Sequence, residues 1–240
     1  MEPRRDHWID RQHVLAPEGR RVEALADQLY LMAHTEHDGT PLIADAPLRR
    51  GLAAGMLGEL VLSRQGVAHE GRLFCWSDGW LPPGLIRELW AFVLREPTPL
   101  PLTEWVRHLA AESVEDVRAR LRLDGWLEVV HERRRLFGAR TFYRPPREHA
   151  SRAILPAIQL ASGLAGDLRA LSPERKLLGC LASAMGVVDA SPFLLAHQGR
   201  GRDRARELRD VLLADPDLAQ LAEVLLAAET AIGDAVLARP

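Results

Sequence analysis

The 240-residue chain reads as a mainly α protein: a single helical domain around a Gly/Ala-rich central helix, with two peripheral β-hairpins. Apolar residues recur at helical spacing through most of its length. One segment, GLAAGMLGELVLSR, sets Gly51, Gly55 and Gly58 beside Ala54, a face poor in side chains that lets another helix approach closely. Only two stretches break the helical period, one by turn punctuation and one by strict alternation. A composition of 47% hydrophobic and 27% charged residues suits a globular chain of a length that can bury a core.

The polar N-terminus, with Pro3 and Pro17, is expected to be a loose arm over residues 1–19, leaving 20–240 as the domain. Val22, Leu25, Ala26, Leu29, Met32 and Ala33 follow the helical rule, and the polar turn EHDG ends that helix. The central helix begins at DAPLRR, where Asp45 can cap and Pro47 suits the first turn. Residues 66–82 carry Gly and Asp-Gly punctuation and read as a small hairpin. Helices are expected at about 84–95, 102–110 and 113–124. After Gly125 the period becomes two, so WLEVVHERRR and ARTFYR form strands joined around Leu136–Gly138. Further helices follow at roughly 148–163, 173–185, 189–198, 203–213 and 216–237, with Ser172-Pro173 and Asp215-Pro216 as start signals.

Several function classes lose support at once. The chain has no phosphate-binding glycine loop, nucleophile elbow or zinc-protease motif, so neither catalytic residues nor a cofactor are expected. Apolar runs are too interrupted for the ~20 residues of a membrane span, and a secretory h-region is missing, so the expected compartment is the cytoplasm. Cys75 and Cys180 lack ligand spacing and read as small buried residues. The segment His34, Glu36, His37, Asp38 is the best metal candidate, but a polar helix end, with histidine complementing the helix dipole, explains it more simply. Glu59, set among apolar neighbours, is more often an arginine's partner than a catalytic acid. Trp76, Trp80, Trp90, Trp105 and Trp126 read as packing residues whose indole N–H reaches a partner.

Charge is uneven although the formal net charge is only -2. From His131 to Arg152 seven arginines face two glutamates, whereas from Asp203 to Pro240 eight acids face four arginines. The basic stretch contains HERRRLFGARTFYRPPR, where Leu136 and Phe137 sit at the bend between banks of arginine. Three readings compete. It can be a solvated hairpin with Val129, Phe142 and Tyr143 packed inward. It can be the wing of a winged helix spanning 113–144, with Arg118, Arg120 and Arg122 toward the major groove of DNA. Or it can meet an anionic membrane, where two buried apolar residues contribute up to ~1.5–3 kcal/mol each and nearby arginines about 1 kcal/mol each; two weak signals together bind reversibly.

The order of segments favours the last. LADQLYLMAHTEHDGTPL, then LRRGLAAGMLGELVLSRQGV, then VRARLRLDGWLEVV with RRRLFGARTFYRP, and an acidic helical end, resemble the Golgi phosphoprotein 3 family over about residues 20–237. The nearly lysine-free, Ala- and Leu-rich composition suits a bacterial member. The resemblance implies a helical domain docked at a membrane, phosphatidylinositol 4-phosphate binding in a basic pocket, a hydrophobic hairpin inserted in the bilayer, and the holding of protein clients. It implies insertion by Leu136 and Phe137. For the headgroup it brings Arg118 to one family arginine; Ala44, Ala53 and Glu115 stand at the other pocket positions, and Arg49 and Arg50 are the nearby replacements. With Arg133, Arg134, Arg135 and Arg140 of the hairpin, these complete the expected contact set for acidic phospholipid.

Overall fold

The computed structural model describes residues 24–75, 85–134, 138–195 and 200–238. The N-terminal arm, Trp76, Trp80, Asp78-Gly79 and the hairpin residues Arg135, Leu136 and Phe137 therefore lie outside the described residues. The chain is mainly helical with two separate two-stranded antiparallel sheets. Helices α1 (Leu25–Met32) and α2 (Asp45–Leu62) precede strands β1 (Gly66–His69) and β2 (Arg72–Cys75). Then come α3 (Leu85–Val93), α4 (Leu102–Leu109) and α5 (Ser113–Leu123), followed by β3 (Glu128–Arg134) and β4 (Gly138–Arg144). The C-terminal half holds α6 (Ala150–Ala153), α7 (Leu155–Ala165), α8 (Pro173–Ala184), α9 (Val187–Ala190), α10 (Pro192–Leu195), α11 (Gly201–Ala214) and α12 (Ala219–Leu237).

Helix α2 lies at the centre, packed by α1, α4, α5, α8 and α12. Its glycines explain how so many neighbours fit. A Cβ at Gly58 would stand 2.6 Å from Leu177 of α8, and one at Gly51 would stand 2.2 Å from the Met185 side chain. Real Cβ atoms do not approach that closely, so α8 sits where only hydrogen leaves room. Leu52, Leu57 and Leu60, all fully buried, fill the other faces of α2.

Local capping follows the sequence where side-chain geometry allows it. The Ser172 hydroxyl accepts from the Arg175 amide, and the Asp215 carboxylate accepts from the Asp217 amide, each opening its helical segment. Asp45 does not cap. Ala44 occupies the N-cap position, and the Asp45 carboxylate is held 2.6 Å from Arg49, one turn on, by the favourable i,i+4 spacing of opposite charges. The expected helix over 189–198 is divided at Ser191–Pro192, since Pro192 lacks the amide that would continue the ladder.

The first hairpin turns at Glu70 and Gly71, with φ of 51° and 72°. Two positive φ values in a two-residue loop match the right-handed twist of the strands. The Gly71 amide donates to Glu223 of α12 at 2.7 Å, tethering this hairpin to the acidic end.

Candidate functional site

Helix α5 and the second hairpin form the expected contact surface, and α5 divides its arginines by direction. Val114, Val117 and Leu121 are buried against the core. Successive residues turn by about 100°, so Arg120, three places from Val117, shares that face. It donates to Asp27 of α1 at 2.8 Å and to Glu59 of α2 at 3.1 and 3.3 Å. Glu59 also accepts the Ala26 amide at 2.8 Å, so one carboxylate serves both an arginine and an otherwise orphan helix-start donor. Burial pushes the Asp27 carboxyl up to about 7, outweighing the pull of Arg120 in the opposite direction.

Arg118 points away from that triad. Its Nε donates to the Tyr30 hydroxyl at 2.9 Å and its Nη1 to Glu115 at 2.7 Å. The guanidinium also lies 4.7 Å from the centre of the Tyr143 ring, with Arg122 at 6.0 Å from the same ring. Tyr143 is thus the hairpin residue that two α5 cations grip. Across the ladder it faces Val129, while Phe142 faces Val130 on the opposite side. The expectation that Val129, Phe142 and Tyr143 all pack inward fails for this reason: neighbours in a strand point to opposite faces.

The turn after α1 supports the same tyrosine. Asp38 accepts from the Thr35 hydroxyl and from the Thr40 amide, and the first of these bonds most strongly holds its carboxyl down at about 2. Gly39, at φ 67°, faces the β4 backbone so closely that an added Cβ would stand 1.7 Å from the Tyr143 carbonyl oxygen. Gly39→Ala is therefore expected to cost at least about 1–2 kcal/mol for the left-handed backbone alone. In a chain of this size that lowers Tm by roughly 2–8 °C, measurable by scanning calorimetry. An unchanged Tm would mean that turn and hairpin do not touch.

The ladder itself is regular, from Glu128↔Arg144 to Arg134↔Gly138. Arg144 donates to Glu128 at 2.8 Å across its base. The register pairs Arg133 with Ala139 and Glu132 with Arg140, so these arginines and Arg134 occupy the distal half, next to residues 135–137.

At the other end of α5, the Ser113 hydroxyl donates to the Arg49 carbonyl at 2.9 Å, and Arg49 Nη1 donates to Ala111 O at 2.9 Å. The start of α2 is thereby joined to the start of α5, about 7.5 Å of helix rise from Arg118. Arg50 donates to Ala46 O at 3.4 Å. Its Nε is buried without a partner. Of the positions carried over by resemblance, Ala53 is fully buried and Glu115 neutralises Arg118 rather than adding to it.

Other expectations change. A winged-helix surface needs Arg118, Arg120 and Arg122 together on one open face; Arg120 is held on the inner face of α5 between Asp27 and Glu59. Only Arg122 of the three is exposed. The indole Nε1 atoms of Trp90 and Trp105 are buried without a hydrogen bond, so Trp105 is held by packing, edge-on to Phe92 at 5.6 Å. His34 does not complement the α1 dipole with charge: burial drives its pKa down to about 4. His37, by contrast, is largely exposed beside Glu36 at 3.4 Å, and no group of three or more metal-ligating residues occurs among the described residues.

Sequence reasoning missed Asp27, Tyr30 and Tyr143 as the residues that orient α5. Two acids at buried helix positions, Asp27 and Glu59, were the available signal, because together they require a buried cation. Among the described residues no helix is long and apolar enough to cross a membrane.

Helical packing around a glycine-lined core, with a second hairpin held on one flank by α5, defines a mainly α domain with two small antiparallel hairpins. A family model described as Golgi phosphoprotein 3 (GPP34) matches residues 25–230, and the chain belongs to that family. A search among curated proteins finds no match.

Proposed function

We propose that the protein is a non-enzymatic peripheral membrane protein that binds acidic phospholipids, with a phosphoinositide-type headgroup such as phosphatidylinositol 4-phosphate as its specific ligand, and that it presents a protein client at that surface from the cytoplasmic side. Membership of the Golgi phosphoprotein 3 family carries the reading. The headgroup falls to Arg49, Arg50 and Arg118, whose Nη2 is used by neither of its two hydrogen bonds, and to Arg133, Arg134, Arg135 and Arg140. Leu136 and Phe137 enter the bilayer.

Electrostatics supports an orientation. The basic hairpin and the acidic C-terminal segment carry opposite charge, so an anionic surface attracts one and repels the other. Asp45 and Glu115 reduce the net charge around Arg49 and Arg118, which leaves the hairpin arginines as the stronger attraction. Binding of this kind weakens with salt, since the Debye length falls to about 3 Å at 1 M.

Co-sedimentation tests it. The protein is expected to partition at least about tenfold more strongly onto vesicles of phosphatidylcholine with phosphatidylserine than onto phosphatidylcholine alone, since two arginine contacts at about 1 kcal/mol each exceed that factor. Adding phosphatidylinositol 4-phosphate at equal surface charge should raise it further. Equal binding to neutral and acidic vesicles would defeat the proposal.

A further inference from the structure

Helix α7 buries Ala157, Leu160, Ala161 and Leu164 and shows its other face to solvent. Leu155 and Ile158 stand on that open face at 41% and 42% exposure. Residues three apart on a helix are surface neighbours, so the two side chains form one apolar patch. The exposed surface continues back through Arg152 of α6 to Arg147 in the preceding turn. Neither arginine has an ion pair or a side-chain hydrogen bond among the described residues. Beside Ile158, Arg175 of α8 donates to Gln159 at 2.9 Å, a neutral partner that leaves its charge uncompensated. Glu148 is the single acid between Pro145 and Gly166. Two apolar side chains thus lie between cations that no carboxylate holds.

A single exposed apolar residue is ordinary on any protein surface. The charge around it decides what it can meet. Leu226, 44% exposed, shares its face of α12 with Glu223 one turn back, and Val236 and Leu237 follow Asp234. An anionic surface repels those positions and attracts the α6–α7 face. That face also starts at the foot of the second hairpin. Only Pro145 and Pro146 separate Arg144 of β4 from Arg147, and the His149 ring lies 5.8 Å from the ring of Trp126, which precedes β3.

We propose that the exposed face of α6 and α7 is a second lipid-contact surface, with Leu155 and Ile158 entering the headgroup boundary of an anionic bilayer and Arg147, Arg152 and Arg175 meeting its phosphates. The inference rests on the reading of the protein as a binder of acidic phospholipid. An apolar patch flanked by arginines suits the interface plane rather than the bilayer interior. A hairpin alone would leave the domain free to rotate about one point. A second contact beside its foot fixes the tilt at which the domain meets the membrane.

The full chain and vesicles of phosphatidylcholine with phosphatidylserine test this. Leu155→Gln combined with Ile158→Gln keeps good helix formers on α7 and is expected to lower partition roughly tenfold, because each side chain has only part of its area left to bury. An environment-sensitive dye on Ile158→Cys, in a Cys75→Ser background with Cys180 buried, should blue-shift on these vesicles. The same dye on Leu226→Cys should not. Undiminished partition of the glutamine variant, an unshifted dye at position 158, or equal shifts at both positions, with wild type still bound to acidic vesicles, would overturn this surface and leave the lipid reading standing. Wild type that ignores acidic vesicles would overturn both. Sedimentation velocity without vesicles covers the competing occupant: a dimer that the glutamine variant dissolves would assign the face to a second copy of the chain and overturn the proposal. Should the glutamine variant fail to fold, the two dye positions decide.

Discussion

Arg120→Ala is expected to destabilise the protein by about 3–5 kcal/mol, because it leaves two buried carboxyl groups without their cation. Asp27 and Glu59 each keep only 6% of their side chains exposed, and Arg120 only 17%. Water cannot replace the guanidinium there without opening the packing of α1, α2 and α5. Urea unfolding followed by circular dichroism reads the loss as a lower midpoint. The pH dependence makes the test specific. Asp27 already has its carboxyl raised to about 7 in the fold from an ordinary 3.8. A folded pKa above the unfolded one contributes stability that is complete below about 4 and is lost as pH rises through the folded value. Removing Arg120 removes what pulls that pKa down, so the folded value rises further and the loss extends to higher pH. The variant should therefore lie closer to wild type at pH 5 than at pH 8. A difference independent of pH would show that Arg120 acts by packing alone. Glu59→Gln, which can still accept the Ala26 amide, should be milder than Glu59→Leu, which also orphans that donor.

This triad marks the boundary between what the residues declare and what the assembled fold adds. The central helix is legible because Gly51, Gly55 and Gly58 impose close approach whichever helix supplies the partner. Ser172 and Asp215 are legible because capping is settled within three residues. The second hairpin is legible because its period changes from helical to alternating. Direction on α5 is not. Arg118 and Arg120 stand two residues apart in VRARL and look equivalent, but a turn of about 200° separates their faces, and their partners lie 88 and 93 residues away in Tyr30 and Asp27. The same holds for His34. Its neutral state depends on Tyr30 holding one nitrogen and stacking on the ring, and on the burial that lowers its pKa, facts of tertiary packing that HTEHD does not contain. The arginines on β3 and β4 are readable as charge, whereas the grip on Tyr143 that seats those strands needs Gly39 and α5 together.

Replacing both Leu136 and Phe137 by Asp is expected to reduce partition onto acidic vesicles by roughly 10²-fold or more, while leaving thermal stability unchanged. Full burial of each apolar side chain contributes up to ~1.5–3 kcal/mol, and about 1.4 kcal/mol corresponds to a factor of ten. Two carboxylates also repel an anionic leaflet, adding to the loss. The regular ladder from Glu128↔Arg144 to Arg134↔Gly138 and the clamp of Arg118 and Arg122 on Tyr143 hold the strands independently of residues 135–137, which is why stability should not follow partition. The arginines act through a different term. Arg133→Ala with Arg140→Ala should weaken binding mainly at low salt, at about 1 kcal/mol for each residue, whereas the Asp substitutions should weaken it at every salt concentration. Phe137→Trp supplies the complementary readout, since an indole entering lipid blue-shifts its emission and is quenched by brominated acyl chains. Undiminished partition of the double Asp variant, or a Phe137→Trp variant whose added emission vesicles leave unaltered, would remove the hairpin from the binding surface and leave charge alone to carry whatever affinity remained.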